Sequence, residues 1–266
     1  MRIATWNINS LRARMDRVLA FLDRHQVDVL ALQETKAKPA QLDLTQLVEA
    51  GYEVHAHGLN QWNGVALVSR VGLEDVRPEL PTVPVWPEDE TGVAEARAIS
   101  GVVGDGLRIW SLYVPNGREI DHPHYAYKLR WLEALRAEGA RELAEDPQAR
   151  VAFVGDFNVA PRDEDVWSME FFEGKTHVTE PERAAFQAVV DAGYADVVRP
   201  DHPGPGVYTY WDYQQLRFPK KEGMRIDFVL GSPAVQQAVT GSFIDREERK
   251  GKGASDHAPV VVDLEF

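Results

Sequence analysis

"VAFVGDFNVAPRDEDVW" (residues 151–167) runs four apolar residues, Val151 to Val154, directly into Gly155, Asp156 and Asn158. The apolar run reads as a buried strand that stops at the glycine. Gly, Asp and Asn are turn residues, so one reading of the tail is a plain turn. The other is a site. A carboxylate and an amide two residues apart at the end of a buried strand can grip a ligand through oxygen. The rest of the chain decides between them.

Working outward, "MRIATWNI" begins as a short alternating strand, and Ser10 stands as an N-cap before Leu11, Met15, Val18 and Leu22 at helical spacing. "VDVLALQET" is a buried strand ending in Gln33 and Glu34, and "NGVALVSR" is a strand entered through the Asn63-Gly64 turn. Pro78 to Gly92, rich in proline and acid, reads as a surface loop. "LRIWSLYVPNG" is a strand closed by Pro-Asn-Gly, and residues 124–145 carry a long helical pattern with Trp131, Leu132 and Leu135 on its apolar face. "EPERAAFQAVVDAG" is a helix with Pro181 in its first turn and Gly193 at its end. "MRIDFVLGS" and "APVVVDLEF" are the last strands. With no repeat or linker, residues 1–266 read as one α/β domain with helices outside and sheets inside.

A chain of 266 residues can bury a large core without staples. Hydrophobic residues at 44% and charged residues at 27% are ordinary globular values. There is no cysteine, which excludes a disulfide framework and a thiolate metal site and fits a reducing, cytoplasmic setting. The N-terminal stretch "MRIATWNINSLRAR" turns polar within ten residues, unlike a signal peptide. No apolar run approaches the ~18 residues of a membrane span. A net charge of −13 argues against a nucleic-acid coat protein but leaves room for a local basic face.

Residues fit for metal or proton chemistry recur at strand ends: Asn7, Glu34, Tyr113 with Asn116, Asp156 with Asn158, Asp227, and Asp256 with His257. Strand ends converge in space, and ligands bind there. Each residue has an ordinary alternative. Asn7 could cap the following helix, Asp227 could pair with Arg225, Tyr113 could be core, and "SDHAP" could be a loop. Six such places together are hard to explain as turns. Asp227, inside a strand pattern between Ile226 and Phe228, needs a partner in any case. Carboxylate and amide oxygens without cysteine point to a hard cation, Mg²⁺ or Mn²⁺.

"TWNINSLRAR", "DVLALQETK", "YVPNG", "GDFN", "RIDFVL" and "SDHAPV", in this order, resemble the exonuclease III family of abasic-site endonucleases, within the endonuclease/exonuclease/phosphatase superfamily. "LQET", "GDFN" and "SDH" occur across that superfamily, whereas "NINSLRAR" and "YTYWDYQQ…GMRIDFVL" are closer to its DNA-repair branch. The resemblance implies a four-layer α/β sandwich, two packed mixed β-sheets flanked by helices, with the site at one end of the sheets. It implies Mg²⁺-dependent cleavage 5′ to abasic sites leaving a 3′-hydroxyl, with 3′-5′ exonuclease and 3′-end trimming. Mn²⁺ is expected to substitute. The partners implied are duplex DNA with abasic sites or blocked 3′ ends, no membrane, and a monomer. Two alternatives stay open: another phosphohydrolase of the superfamily, and a non-catalytic nucleic-acid-binding relative.

The resemblance also implies roles. Glu34 is the main metal ligand. Asn9 stands where some relatives carry an Asp, which puts a second metal position in doubt, and Asp256 contributes to metal binding. Asp156 orients or deprotonates the attacking water, Asn158 holds that water or a phosphate oxygen, and Asn7 positions Asp156. His257 donates to the scissile phosphate while Asp227 fixes its tautomer. Tyr113 contacts the phosphate or the leaving group, and Asn116 supports the site. Arg118 reaches a phosphate or the minor groove. Tyr210, Met224 and Ile226 line a pocket for an extruded abasic sugar, and Trp211 is read as core or as part of that pocket. Met224 stands where certain relatives place a tryptophan, so this pocket is expected to be softer, with Tyr210 carrying the shape selection. Basic residues flank the motifs: Arg12, Arg14, Arg17, Lys36, Lys38, Arg217, Lys220, Lys221, Arg225, Arg246, Arg249, Lys250 and Lys252. About half of these are expected to meet DNA phosphates and the rest to be solvated.

Overall fold

The computed structural model describes residues 1–86 and 92–266. Its elements in chain order are β1 (Arg2–Asn7), α1 (Leu11–His25), β2 (Val29–Gln33), α2 (Thr45–Glu49), β3 (Glu53–His57), β4 (Val65–Ser69), β5 (Glu74–Arg77), β6 (Ala98–Val103) and β7 (Leu107–Tyr113). There follow α3 (Pro123–Glu145), β8 (Val151–Asp156), α4 (Met169–Phe172), α5 (Glu180–Asp191), β9 (Ala195–Asp196), α6 (Arg217–Lys220), β10 (Asp227–Gly231), α7 (Pro233–Ala238), β11 (Val239–Ile244) and β12 (Val260–Leu264). They form two six-stranded sheets, ordered β11-β12-β1-β2-β4-β3 and β5-β6-β7-β8-β10-β9. Both are mixed: β1–β2 and β7–β8 are parallel, and the other pairs are antiparallel.

The sequence dictates the layering through its period of two. Ile3, Val29, Ala31, Ile109, Val154, Val229, Val260 and Val262 point between the sheets and form one shared core. Their strand neighbours point the other way. Ala4, Trp6, Leu30 and Leu32 meet Leu11, Val18, Phe21 and Leu22 of α1. Trp110, Phe153, Phe228 and Leu230 meet Tyr127, Trp131, Leu132 and Leu135 of α3 and Phe186 and Val189 of α5. The result is helix, sheet, sheet, helix, as expected.

Local expectations fare unevenly. Ser10 occupies the N-cap position of α1 but its side chain makes no capping bond. The loop after β2 accepts from the amides on either side of the helix start, Glu34 O from Ser10 N (2.7 Å) and Thr35 O from Leu11 N (3.3 Å). Thr179 does cap α5, in a box with Glu182. In the Pro78–Gly92 segment, residues 87–91 lie outside the described residues. Leu80 and Trp86 of that segment are buried against the α3 core, so this part is not a simple surface loop.

Candidate active site

Strand parity builds the site. Asn7, Tyr113, Asp156 and Asp227 share the parity of the inter-sheet residues Ile3, Ile109, Val154 and Val229, each at a strand end. The same alternation that fills the core therefore aims four polar side chains into the space between the sheets at one rim. Register brings them together: Asp156 is the partner of Tyr113 in the parallel β7–β8 pair and of Asp227 in the antiparallel β8–β10 pair. Asp227 opens β10 rather than lying within it, because Met224 is drawn off to bridge Tyr210 and Val166.

The contacts are specific. Asn7 Nδ2 donates to Glu34 Oε1 (2.8 Å) and to Asp156 Oδ2 (3.0 Å). It therefore braces two carboxylates and does not cap α1. His257 Nδ1 lies 2.9 Å from Asp227 Oδ2, which leaves Nε2 facing Asp156 Oδ2 at 3.8 Å, beyond hydrogen-bond length. The bond at Nδ1 fixes the ring. Ser255 Oγ accepts from His257 N and donates to Asn7 O, tying the segment before β12 to β1. Asn158, with φ 51°, donates from Nδ2 to Val114 O at 2.9 Å. Among the described residues, Glu34, Asp156 and His257 each offer one ligand atom, all within 4.8 Å of one another. The Glu34 and Asp156 carboxylates, with amides beside them, suit a hard divalent cation, and His257 stands at the same place as a hydrogen-bond donor. The Asn9 amide is engaged elsewhere, donating to Asp256 Oδ1 (2.9 Å) and accepting from Lys36, which also pairs with Glu34 at 2.8 Å.

Electrostatics separate the groups. Burial works to raise Glu34, but the Lys36 charge and hydrogen bond, with Asn7 and His257, hold it below its ordinary value. Burial pushes Asp156 up to about 7, helped by Asp227 and Glu34 and opposed by His257. His257 is lowered by burial, yet Asp227, with Asp156 and Asp256, drives it up to about 10. Tyr113 is raised by burial and by Glu34 and stays a phenol. One carboxylate is firmly ionised, one titrates near neutrality, and the imidazole between carboxylates is a cation. That division equips a site to accept one proton and to donate to an anion.

A cavity of about 310 Å³ opens on these residues. Glu34, Tyr113, Asn116, Asp156, Asn158, Asp256 and His257 line it, together with Tyr210, Met224 and Ile226. Tyr210 packs against His257 with the rings tilted by 58° and their centroids 4.9 Å apart. Sequence reasoning missed Trp167, Phe171, Phe172 and His177, which also line the cavity, as does Arg217, one of the flanking basic residues. Arg217 lies over the rings of Trp167 (4.9 Å) and Phe171 (4.5 Å). The pocket is therefore not short of rigid rings: Trp167 packs on the cluster containing Met224, and its backbone N–H donates to Gly223 O. Trp167 closes the very stretch quoted at the outset, where no periodicity marks it.

Three expectations are corrected. Arg225 is fully buried, pairs with Asp196 at 2.6 and 2.9 Å and lies over Phe228, so it cannot reach a substrate. Trp211 is core, edge-on to Phe218, with its carbonyl taken by Arg249. Arg14, Arg17 and Arg249 are likewise spent on carbonyls, of Gly253, Lys250 and Trp211 among others. Arg12, Lys38, Arg118, Lys220, Lys221, Arg246 and Lys252 remain exposed. Arg118 lies over Trp86 and bonds His122.

The sequence profile of the Endonuclease/Exonuclease/phosphatase family matches residues 4–257. The chain belongs to that family. Members similar to it include the exodeoxyribonuclease of Bacillus subtilis, 27% identical over 264 residues and 98% of each chain. Among solved structures, the 3′ phosphatase NExo from Neisseria, bound to a product DNA hairpin, is 35% identical with a TM-score of 0.92 over the whole of both chains. An AP endonuclease from Archaeoglobus fulgidus is 31% identical with a TM-score of 0.91, again over the whole of both. The chain shares both the fold and the nuclease-hydrolase chemistry of this family.

Proposed function

We propose that this family member is a DNA-repair phosphohydrolase. It cuts duplex DNA 5′ to abasic sites, leaving a 3′-hydroxyl, and trims blocked 3′ ends and 3′-terminal nucleotides. All these reactions break the same P–O3′ bond and differ only in what hangs from the phosphate. The observation that carries the reading is the meeting of Glu34, Asp156 and His257 within 4.8 Å at the inter-sheet rim, beside a pocket.

Asp156 takes a proton from the attacking water, and Asn7 holds it in place. Asn158 holds that water or a phosphate oxygen. His257, kept charged by Asp227, donates from Nε2 to the phosphate. Tyr113, kept as a phenol, is the donor for the phosphate or the departing 3′ oxygen. Glu34, with Asp156 and His257 close by and Asp256 at the cavity edge, is the place for Mg²⁺, for which Mn²⁺ substitutes. A bound divalent cation supplies positive charge to the phosphate oxygens as the bond breaks. Asn116 buttresses Asn158. Arg118, Lys221 and the other exposed basic residues contact the phosphate backbone, and Tyr210, Met224 and Ile226 receive the sugar. The protein works as a one-domain cytoplasmic monomer.

A second reading places most turnover at 3′ ends; it is favoured by the 35% identity to a 3′ phosphatase along the whole of both chains. The test is a pair of matched duplexes, one with an internal abasic site and one with a 3′-phosphate, each incubated with Mg²⁺ and with chelator. Metal-dependent hydrolysis of both supports the first reading. Hydrolysis of the 3′-phosphate alone supports the second, and hydrolysis of neither overturns both.

A further inference from the structure

Behind the pocket lie two fully buried, opposite charges that the chemistry above does not use, Lys128 on α3 and Glu182 on α5. An ammonium has three donors. Lys128 spends one on Glu182, one on Asn158 O (2.6 Å) and one on Asn116 O (3.2 Å). Glu182 in turn accepts from His177 N (2.9 Å), Thr179 N (3.2 Å) and Thr179 Oγ1 (2.7 Å). The pair thus gathers three loops, those after β7, after β8 and before α5, each of which sends one side chain to the pocket: Asn116, Asn158 and His177.

Those loops are in conformations that need holding. Asn158 and His177 have φ of 51° and 82°, and Arg118 beside Gly117 has 57°. Such values persist in residues other than glycine only where the surroundings over-determine them. The approach is close: a Cβ on Gly117 would stand 3.2 Å from Lys128 Cδ. The three side chains also touch one another. Asn158 Oδ1 lies 3.4 Å from Asn116 Nδ2 and 3.2 Å from His177 Nε2. Burying a charge pair is expensive, and an apolar pair of similar volume would serve packing alone as well or better.

We propose that Lys128 and Glu182 are positioning residues. Acting through the backbone, they set the Asn116–Asn158–His177 wall against which the scissile phosphate and its sugar are aligned. The inference rests on the hydrolase reading above, and its test has an arm that does not. Lys128→Met removes the donors and roughly keeps the shape. Its expected signature has two parts. Backbone hydrogen exchange quickens at residues 116–118 and at Asn158 while sheet amides such as Val154 and Val229 hold. Turnover falls about tenfold or more at a KM within about threefold of the parent, because misplaced groups lose rate before affinity. Lys128→Arg, whose forked donors can reach the same oxygens, recovers most of both. If Lys128→Met does not fold, Glu182→Gln is read by the same two measurements, with smaller changes in the same direction. Exchange that quickens evenly over both sheets, or turnover within about threefold of the parent, overturns the proposal. An inactive parent protein would overturn the hydrolase reading, while the exchange arm still judges the pair.

Discussion

Asp227 holds His257 by a 2.9 Å contact to Nδ1 and is at the same time the cross-strand partner of Asp156. One carboxylate therefore orients the imidazole and, by its charge, raises both His257 and Asp156.

The pH profile follows. Activity needs Asp156 ionised and His257 protonated, so kcat/KM should rise on an acid limb set by Asp156 and fall on an alkaline limb set by His257; these groups stand at about 7 and about 10 without the cation, and the bound cation moves both limbs to lower pH. Removing the Asp227 charge lowers both values, so Asp227→Asn should move both limbs to lower pH. Turnover should also fall on the order of 10²–10⁴-fold as the ring loses its orientation. Profiles of parent and variant on one substrate check this. An alkaline limb that stays in place would mean that His257 is not the group titrating there.

Asp156→Asn and His257→Asn should separate chemistry from grip. Each should cost turnover by about 10²-fold or more, while binding to abasic duplex in chelator changes little. Comparable losses in binding would assign both residues to substrate recognition.

The pocket wall gives a third outcome. Tyr210→Ala should cut abasic cleavage sharply with the metal requirement unchanged. Met224→Trp should have a smaller effect on the ratio of exonuclease to abasic cleavage than Trp167→Ala, since Trp167 already supplies a ring beside Met224. The ratio on matched duplexes measures it. A ratio that moves more for Met224→Trp would return the discrimination to position 224.

Arg225 should matter for stability and not for DNA. Arg225→Met removes the buried partner of Asp196 but leaves that part-exposed carboxylate its contact with Arg199 and two backbone donors, so the cost should fall below the about 3–5 kcal/mol of a fully buried pair. The salt dependence of duplex binding should not change, because no phosphate contact is lost. A shallower salt slope would put Arg225 on the DNA after all.

What was legible in the sequence was what periodicity carries. Asn7, Tyr113, Asp156 and Asp227 stand at the ends of, or inside, apolar strand patterns where a polar side chain is conspicuous, so their gathering at strand ends could be read before any fold was known. His257 could be tied to Asp227 only through the resemblance, since 30 residues separate them. Arg225 was misread because its partner Asp196 lies on a two-residue strand that no pattern announces. Trp167, Phe171 and His177 were missed because they sit in short irregular segments or a single helical turn, where no repeat marks which way a side chain points. Ser10 shows the limit of local rules: it stands where a cap should be, but with φ 89° and its amide tied to Glu34 O in the loop after β2 its side chain makes no capping bond.

The central claim is that Glu34, Asp156 and His257 form one metal-dependent hydrolytic centre. The most direct measurement is cleavage of a duplex with one abasic site by the parent protein and by Glu34→Ala, over a titration of Mg²⁺ from excess chelator upward. The account predicts no cleavage in chelator, recovery with Mg²⁺ or Mn²⁺, and a higher half-activating Mg²⁺ concentration for Glu34→Ala. Cleavage that survives chelator, or an unchanged half-activating concentration in the variant, would contradict it.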